Sequence, residues 1–120
     1  MNLILKGTVP SKKNSRINLK DGRSFPSKNY TEWHKVQSGE LMVWKNQHSI
    51  NRPFGYTRMV LSFYPRDERI ADLTNKAESV MDLLVDNRIL KDDNWFVVGD
   101  LRLLFGCVDR DNPRVEIEFN

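Results

Sequence analysis

The stretch 73–86 (LTNKAESVMDLLVD) constrains the fold more than any other part of the chain. At about 100° per residue, Leu73, Ala77, Val80, Met81 and Leu84 fall on one apolar stripe, which predicts an amphipathic helix. Asp72 stands just before it as an N-cap candidate. Such a stripe needs an apolar surface to cover it, and the neighbouring sequence supplies strands. Residues 57–64 (TRMVLSFY) set Met59, Leu61 and Phe63 on one side, with Arg58, Ser62 and Tyr64 broadly on the other. After a short connection over 87–95, residues 96–106 and 114–119 read as two further strands joined through Asp109–Pro113. Upstream, 2–9 (NLILKGTV) reads as a strand and 30–48 as a helix. That helix would be capped by Thr31, with Trp33, Val36, Leu41 and Trp44 at roughly helical spacing and Gly39 weakening it slightly. Residues 10–29 form a long loop with a turn at Lys20-Asp21-Gly22, and 65–71 a polar one. The order β-α-β-α-β-β predicts an α+β fold: one domain over 1–120, a four-stranded mixed sheet with two helices on one face.

A chain of 120 residues, 39% apolar with three tryptophans, can bury a core without metal or disulfide staples. The lone cysteine, Cys107, excludes an intrachain disulfide, and its setting in LRLLFGCV reads as core. No N-terminal stretch reads as a signal peptide and no apolar run approaches a membrane span, so a cytoplasmic protein without membrane contact is expected. The net charge of +3 is only a weak pointer to a polyanion. Its distribution says more. Residues 1–35 carry Lys6, Lys12, Lys13, Arg16, Lys20, Arg23, Lys28 and Lys35 against only Asp21 and Glu32. Residues 66–100 carry Asp67, Glu68, Asp72, Glu78, Asp82, Asp86, Asp92, Asp93 and Asp100. A basic arm for phosphates beside carboxylates for cations suits a metal-dependent nuclease; two ordinary solvated surfaces are the plain alternative.

The chemistry concentrates in Asp72-Leu-Thr-Asn-Lys-Ala-Glu78 and in Asp92-Asp93. Phosphodiester hydrolysis needs an activated water and a stabilised leaving oxygen. Mg²⁺ held by two or three carboxylates plus substrate oxygens supplies both. A helix of fourteen residues spans about 21 Å and a seven-residue extended segment about 23 Å, so a chain returning along the helix could bring Asp93 to Asp72. Each residue also has a plain reading. Asp72 is a good N-cap, Asp92-Asp93-Asn94 a natural turn, Glu78 a solvated helix residue, and Lys76 a partner for an acid four residues away.

Taken together, Asp72-Leu73-Thr74-Asn75-Lys76, Met81-Asp82-Leu83-Leu84 and Leu90-Lys91-Asp92-Asp93, with the early Pro10-Ser11-Lys12-Lys13-Asn14-Ser15, resemble the RusA-like Holliday-junction resolvases, in a form common among phage and prophage members. The resemblance implies a homodimer acting on branched DNA with Mg²⁺, or Mn²⁺, in recombination and repair. Asp72 matches the first family aspartate, Asn75 the family asparagine, and Asp93, with Asp92 beside it, the catalytic acidic pair. Two positions depart: the second family aspartate falls on Thr74 and the catalytic lysine on Glu78. Thr74 and Glu78 share a helix face, so Glu78 could take the missing metal ligand and Lys76 the positive charge. The expected site is therefore catalytic Asp72, Asp93, Glu78 and Lys76, with Asp92 as a further metal ligand and Thr74 and Asn75 in support. Lys12, Lys13, Arg16, Lys20, Arg23 and Lys28 would grip DNA phosphates.

Trp33 and Trp44 read as core or interface rather than base-stacking residues. His34 and His48 lack metal-ligand spacing. The other functions open to such a chain are a junction-binding protein impaired in cleavage by the changes at 74 and 78, an interaction protein with merely solvated acids, and an RNA-directed nuclease.

Overall fold

The computed structural model describes residues 1–11, 16–22 and 24–120, with the backbone alone for 16–17 and 24–26. Strand β1 (Asn2–Lys6) is followed by a small hairpin, β2 (Arg16–Asn18) and β3 (Ser24–Pro26), and by helix α1 (Lys28–Gln47). Then come β4 (Thr57–Tyr64), α2 (Leu73–Asp86), β5 (Val98–Phe105) and β6 (Arg114–Phe119). The main sheet has the order β1-β6-β4-β5. β6 runs antiparallel to both neighbours, whereas β4 and β5 are parallel, with α2 as their crossover. The mixed α+β sheet expected from the sequence is what forms.

Alternation builds the core. Leu3 and Leu5, Met59, Leu61 and Phe63, and Val115, Ile117 and Phe119 all bury on one face of the sheet. That face receives the α2 stripe of Ala77, Val80, Met81 and Leu84, joined by Leu83, and from α1 Leu41 and Trp44. Leu73, the first residue of the predicted stripe, is only half-buried. The Trp44 indole N–H donates to the Asn2 carbonyl at 3.2 Å, so this tryptophan is core. The opposite face stays open, with Ile4 53% exposed.

Several elements depart from expectation for local reasons. β1 stops at Lys6 because Gly7 turns the chain at φ +97° and donates its N–H to the Pro113 carbonyl at 2.8 Å. The predicted Lys20–Gly22 turn closes the β2–β3 hairpin, which the sequence reads as loop. α1 begins at Lys28 because Ser27 caps it, its Oγ accepting the Tyr30 N–H at 3.2 Å; Thr31 lies inside the first turn and donates to the Ser27 carbonyl. Val36 is 61% exposed, and Gln37 takes the buried place because its amide donates to the Lys6 carbonyl at 3.0 Å. Cys107 is exposed rather than core, because the chain has left the sheet after Phe105. β5 starts at Val98, two residues later than predicted, because the Asn94 side chain holds 94–97 in a turn that leaves Trp95 and Phe96 outside. Among the described residues, no helix is long and apolar enough to cross a membrane.

Candidate active site

The loop 65–72 leaves β4 and delivers the chain to the start of α2, where an open cleft of about 680 Å³ lies between α2, the exit of β1 and the first turns of α1. Asp72, Asn75 and Lys76 line it together with Lys6, Glu32 and Arg66. Asp72 occupies the N-cap position in extended conformation but makes no side-chain cap bond. Its Oδ2 instead accepts the Asn75 Nδ2–H at 3.2 Å, which leaves the carboxylate exposed at the cleft wall. Lys76 is half-buried, and its Nζ donates to the Val9 carbonyl. Burial pulls its ammonium below the usual lysine range. The ammonium has three donors, so two remain for a ligand. A helix N-terminus with three cations beside the exposed carboxylates of Asp72 and Glu32 can hold a phosphodiester while presenting an anionic oxygen to it.

The remaining predicted residues lie elsewhere. β4 and β5 start at the same end of the sheet, where Thr57 donates to the Val97 carbonyl and Phe54 bridges to Leu90. Asp93 therefore stands near the C-terminal end of α2, and Asp72 at its N-terminal end. The connection after Asn87 does not run back along the helix as the sequence reading required. Asp93 is pushed above the usual aspartate range, first by burial, then by its neighbour Asp92 and by the charge of Asp82. Asp92 serves a turn: its Oδ1 accepts the Asp93 N–H at 2.8 Å and its Oδ2 the Asn94 amide at 2.9 Å, bonds that lower its pKa. Glu78 is exposed outside the cleft lining and faces α1. There burial, and after it the charges of Asp82, Asp86 and Glu78, raise the Tyr30 hydroxyl to about 12. Among the described residues, no three His, Cys, Asp or Glu side chains come together as a metal site needs. A single chain thus gathers Asp72, Asn75 and Lys76 and does not bring Asp92, Asp93 or Glu78 to them.

Of the basic residues, Lys20 and Lys28 are exposed beside the hairpin and at the start of α1. Lys12, Lys13 and Arg23, and the side chain of Arg16, lie outside the described residues. Lys28 is 3.8 Å from Glu32, an exposed i,i+4 pair of small energetic weight. Trp33 is half-buried at the cleft wall, and His34 ties α1 to α2 through Asp86 at 2.8 Å. Sequence reasoning missed Arg66 and Glu32 as lining residues and Asp82 as the neighbour of Asp93. Asp82 lay inside the Met81–Leu84 segment of the motif, and that position was the only available signal.

The model of the family described as endodeoxyribonuclease RusA matches residues 7–120, all but the first six. This chain is therefore a member of the RusA endodeoxyribonuclease family, a class of DNA-cleaving enzymes. No curated protein matches it.

Proposed function

We propose that this chain is a structure-specific endonuclease that nicks opposed strands of branched DNA, four-way junctions above all, in recombination and repair. The observation that carries the reading is the cleft at the start of α2, where Asp72, Asn75 and Lys76 meet Lys6 and Arg66 in a chain of this family. Lys6, Arg66 and the free donors of Lys76 bind and orient the phosphodiester, and Asp72 faces its reacting side. The basic segment 12–28 holds flanking phosphates largely without reading bases, so its contribution weakens with salt. A four-way junction has near two-fold symmetry, and a homodimer would set one site on each of two opposed strands. Dependence on Mg²⁺, with Mn²⁺ as a substitute, belongs to the same proposal, with Asp72, Asp92, Asp93 and Glu78 as its candidate ligands and Thr74 in support; so does a cytoplasmic location.

The test is cleavage of a synthetic four-way junction and a matched linear duplex, with Mg²⁺ and with EDTA, by wild type, Asp72→Asn and Asp93→Asn. Paired, metal-dependent nicks confined to the junction, and lost in both variants, are expected. Tight junction binding without cleavage in Mg²⁺ or Mn²⁺ favours the second reading, a junction-binding protein impaired in catalysis. The placement of Glu78 outside the cleft lends that reading its support.

A further inference from the structure

The loop 65–72 divides its residues between two spaces. Arg66 and Asp72 line the cleft already described, Pro65 and Arg69 line a second cavity of about 240 Å³, and Ile70 and Ala71 line both. Thr8 and Lys76 also belong to both, so the cleft and the second cavity share a wall. The rest of the second lining is largely apolar, with Phe63, Leu73 and the rings of Tyr64 and Phe105. Its charged groups are Arg69, Lys76 and Arg114, and among the described residues no Asp or Glu joins them. Two of these cations are held in place. Arg114 bonds Asp109 at 2.8 Å and Glu116 at 2.6 Å and lies 4.0 Å over the Tyr64 ring, and the Lys76 ammonium donates to the Val9 carbonyl.

The lining selects an occupant. Sites for drug-sized ligands occupy roughly 300–1,000 Å³, so this cavity has room for one ring system and not for a length of chain. Arginine and lysine only donate hydrogen bonds, so the occupant must bring acceptors. A bare phosphate has acceptors but gains nothing from apolar walls. A nucleobase has apolar faces that pack on aromatic side chains and acceptors along its edge. Guanine, thymine and cytosine each carry a ring carbonyl, and adenine carries none. The geometry of the shared wall fits as well. A phosphodiester in the cleft has its own base one sugar away, on the scale of the wall that Thr8, Ile70 and Lys76 form. Taking a base out of its stack costs least where pairing or stacking is already broken, as it is at a branch point.

We propose that the second cavity receives the unstacked base of a nucleotide flanking the phosphodiester held in the cleft. The proposal rests on the endonuclease reading above and adds a base-binding subsite to it. Phe105, 59% exposed in the chain alone, is the surface the base packs on, and Ile70, 100% exposed, gains a ring to cover. Arg69, Lys76 and Arg114 meet the acceptors of its edge. Lys76 then stands between the phosphate on one side and its base on the other. A linear duplex keeps that base in its stack, so the subsite favours branched DNA through a local test of each strand.

Photocrosslinking tests the subsite without relying on cleavage. A four-way junction carries 5-iodouracil at successive positions around the branch point, bound to Asp72→Asn chains. Irradiation should join one of these positions to Phe105 or Tyr64, read by mass spectrometry; crosslinks confined to residues outside the cavity overturn the proposal. Nicking supplies the second arm. An abasic residue at the position that crosslinks should slow wild type by about tenfold or more, the scale of one lost base–aromatic stack. Phe105→Ala should slow nicking of the intact junction by a similar factor and add nothing on the abasic one, and Phe105→Trp should keep the wild-type rate. Losses that multiply, or no loss on the abasic junction, overturn the subsite. Adenine at that position should be nicked slowest of the four bases, and equal rates overturn the donor contacts. Should Phe105→Ala fail to fold, Arg69→Ala, whose side chain is 83% exposed, should erase the discrimination against adenine; unchanged discrimination overturns the contact. If Tyr64→Leu alters the sedimentation of the DNA-free protein, a second copy fills the cavity and the subsite falls. A junction bound and crosslinked to Phe105 but never nicked by wild type overturns the endonuclease reading and leaves the base-binding site standing. A junction not bound at all overturns both.

Discussion

At the start of α1 the Ser27 backbone is extended, with φ −65° and ψ 161°, and its Oγ accepts the Tyr30 N–H. At the start of α2 the Asp72 backbone is extended in nearly the same way, with φ −81° and ψ 126°, yet its carboxylate accepts no N–H of the helix. The Asn75 amide engages that carboxylate instead, and the first turn of α2 is left without a side-chain cap. A capping oxygen is spent on holding a helix. An oxygen that stands in the same place uncapped, beside an open cleft, is available to a ligand. The comparison separates a residue the fold needs from one it tolerates, at two positions of nearly the same backbone conformation.

The largest expected effect follows from Asp72. Asp72→Asn should lower the nicking rate by about 10²–10³-fold, the scale for losing one fixed polar group in an active site. Its cost in stability should stay within about 1 kcal/mol, because only the interaction of its charge with the helix end is lost. Junction cleavage and urea unfolding measure the two sides. A variant that unfolds easily and nicks normally would reverse the roles assigned to the two helix starts.

Ser27→Ala should do the opposite, costing about 1 kcal/mol in urea unfolding with nicking per folded molecule unchanged. Thr31→Ala should cost less, because the Thr31 hydroxyl only adds a bond to the Ser27 carbonyl that already receives the Thr31 N–H. Equal losses for the two would mean that Thr31, the cap expected from the sequence, shares the capping with Ser27.

What was legible follows from which signals are local. The α2 stripe and the β4 alternation repeat along the chain, and both elements form with the bounds their periodicity gives. Val36 and Gln37 show the limit. Apolarity pointed to Val36, but a glutamine whose amide meets the Lys6 carbonyl can be buried, and its partner lies thirty-one positions away. The candidate site divides in the same manner. Asp72, Asn75 and Lys76 are close in sequence and meet in one cleft. Asp93 depends on where β5 begins relative to β4. Parallel pairing fixes that start at the far end of α2, and no residue spacing announces it. The apolar run of β5 likewise reads as core, and only its place at the sheet edge exposes it.

The smallest expected effect concerns a carboxylate that the fold employs fully. Asp109 Oδ2 accepts Arg114 Nη1–H at 2.8 Å and Oδ1 accepts the Asn112 N–H at 3.2 Å. The Arg114 bond, ahead of the others, holds its pKa below the usual 3.8. The unfolded chain therefore takes up this proton first as pH falls. The stability Asp109 contributes is fully present above about pH 3.8 and is lost as pH drops through the lowered native value. Asp109→Asn should flatten that part of the acid limb of the unfolding curve. The change should be modest, because the pair is partly exposed and Arg114 keeps Glu116 at 2.6 Å and the Tyr64 ring at 4.0 Å. Nicking at neutral pH should not move. Asp72→Asn should show the converse pattern, a loss of nicking, and if the Asp109 variant also lost nicking, a carboxylate's bonding partners would no longer separate structural aspartates from functional ones in this chain.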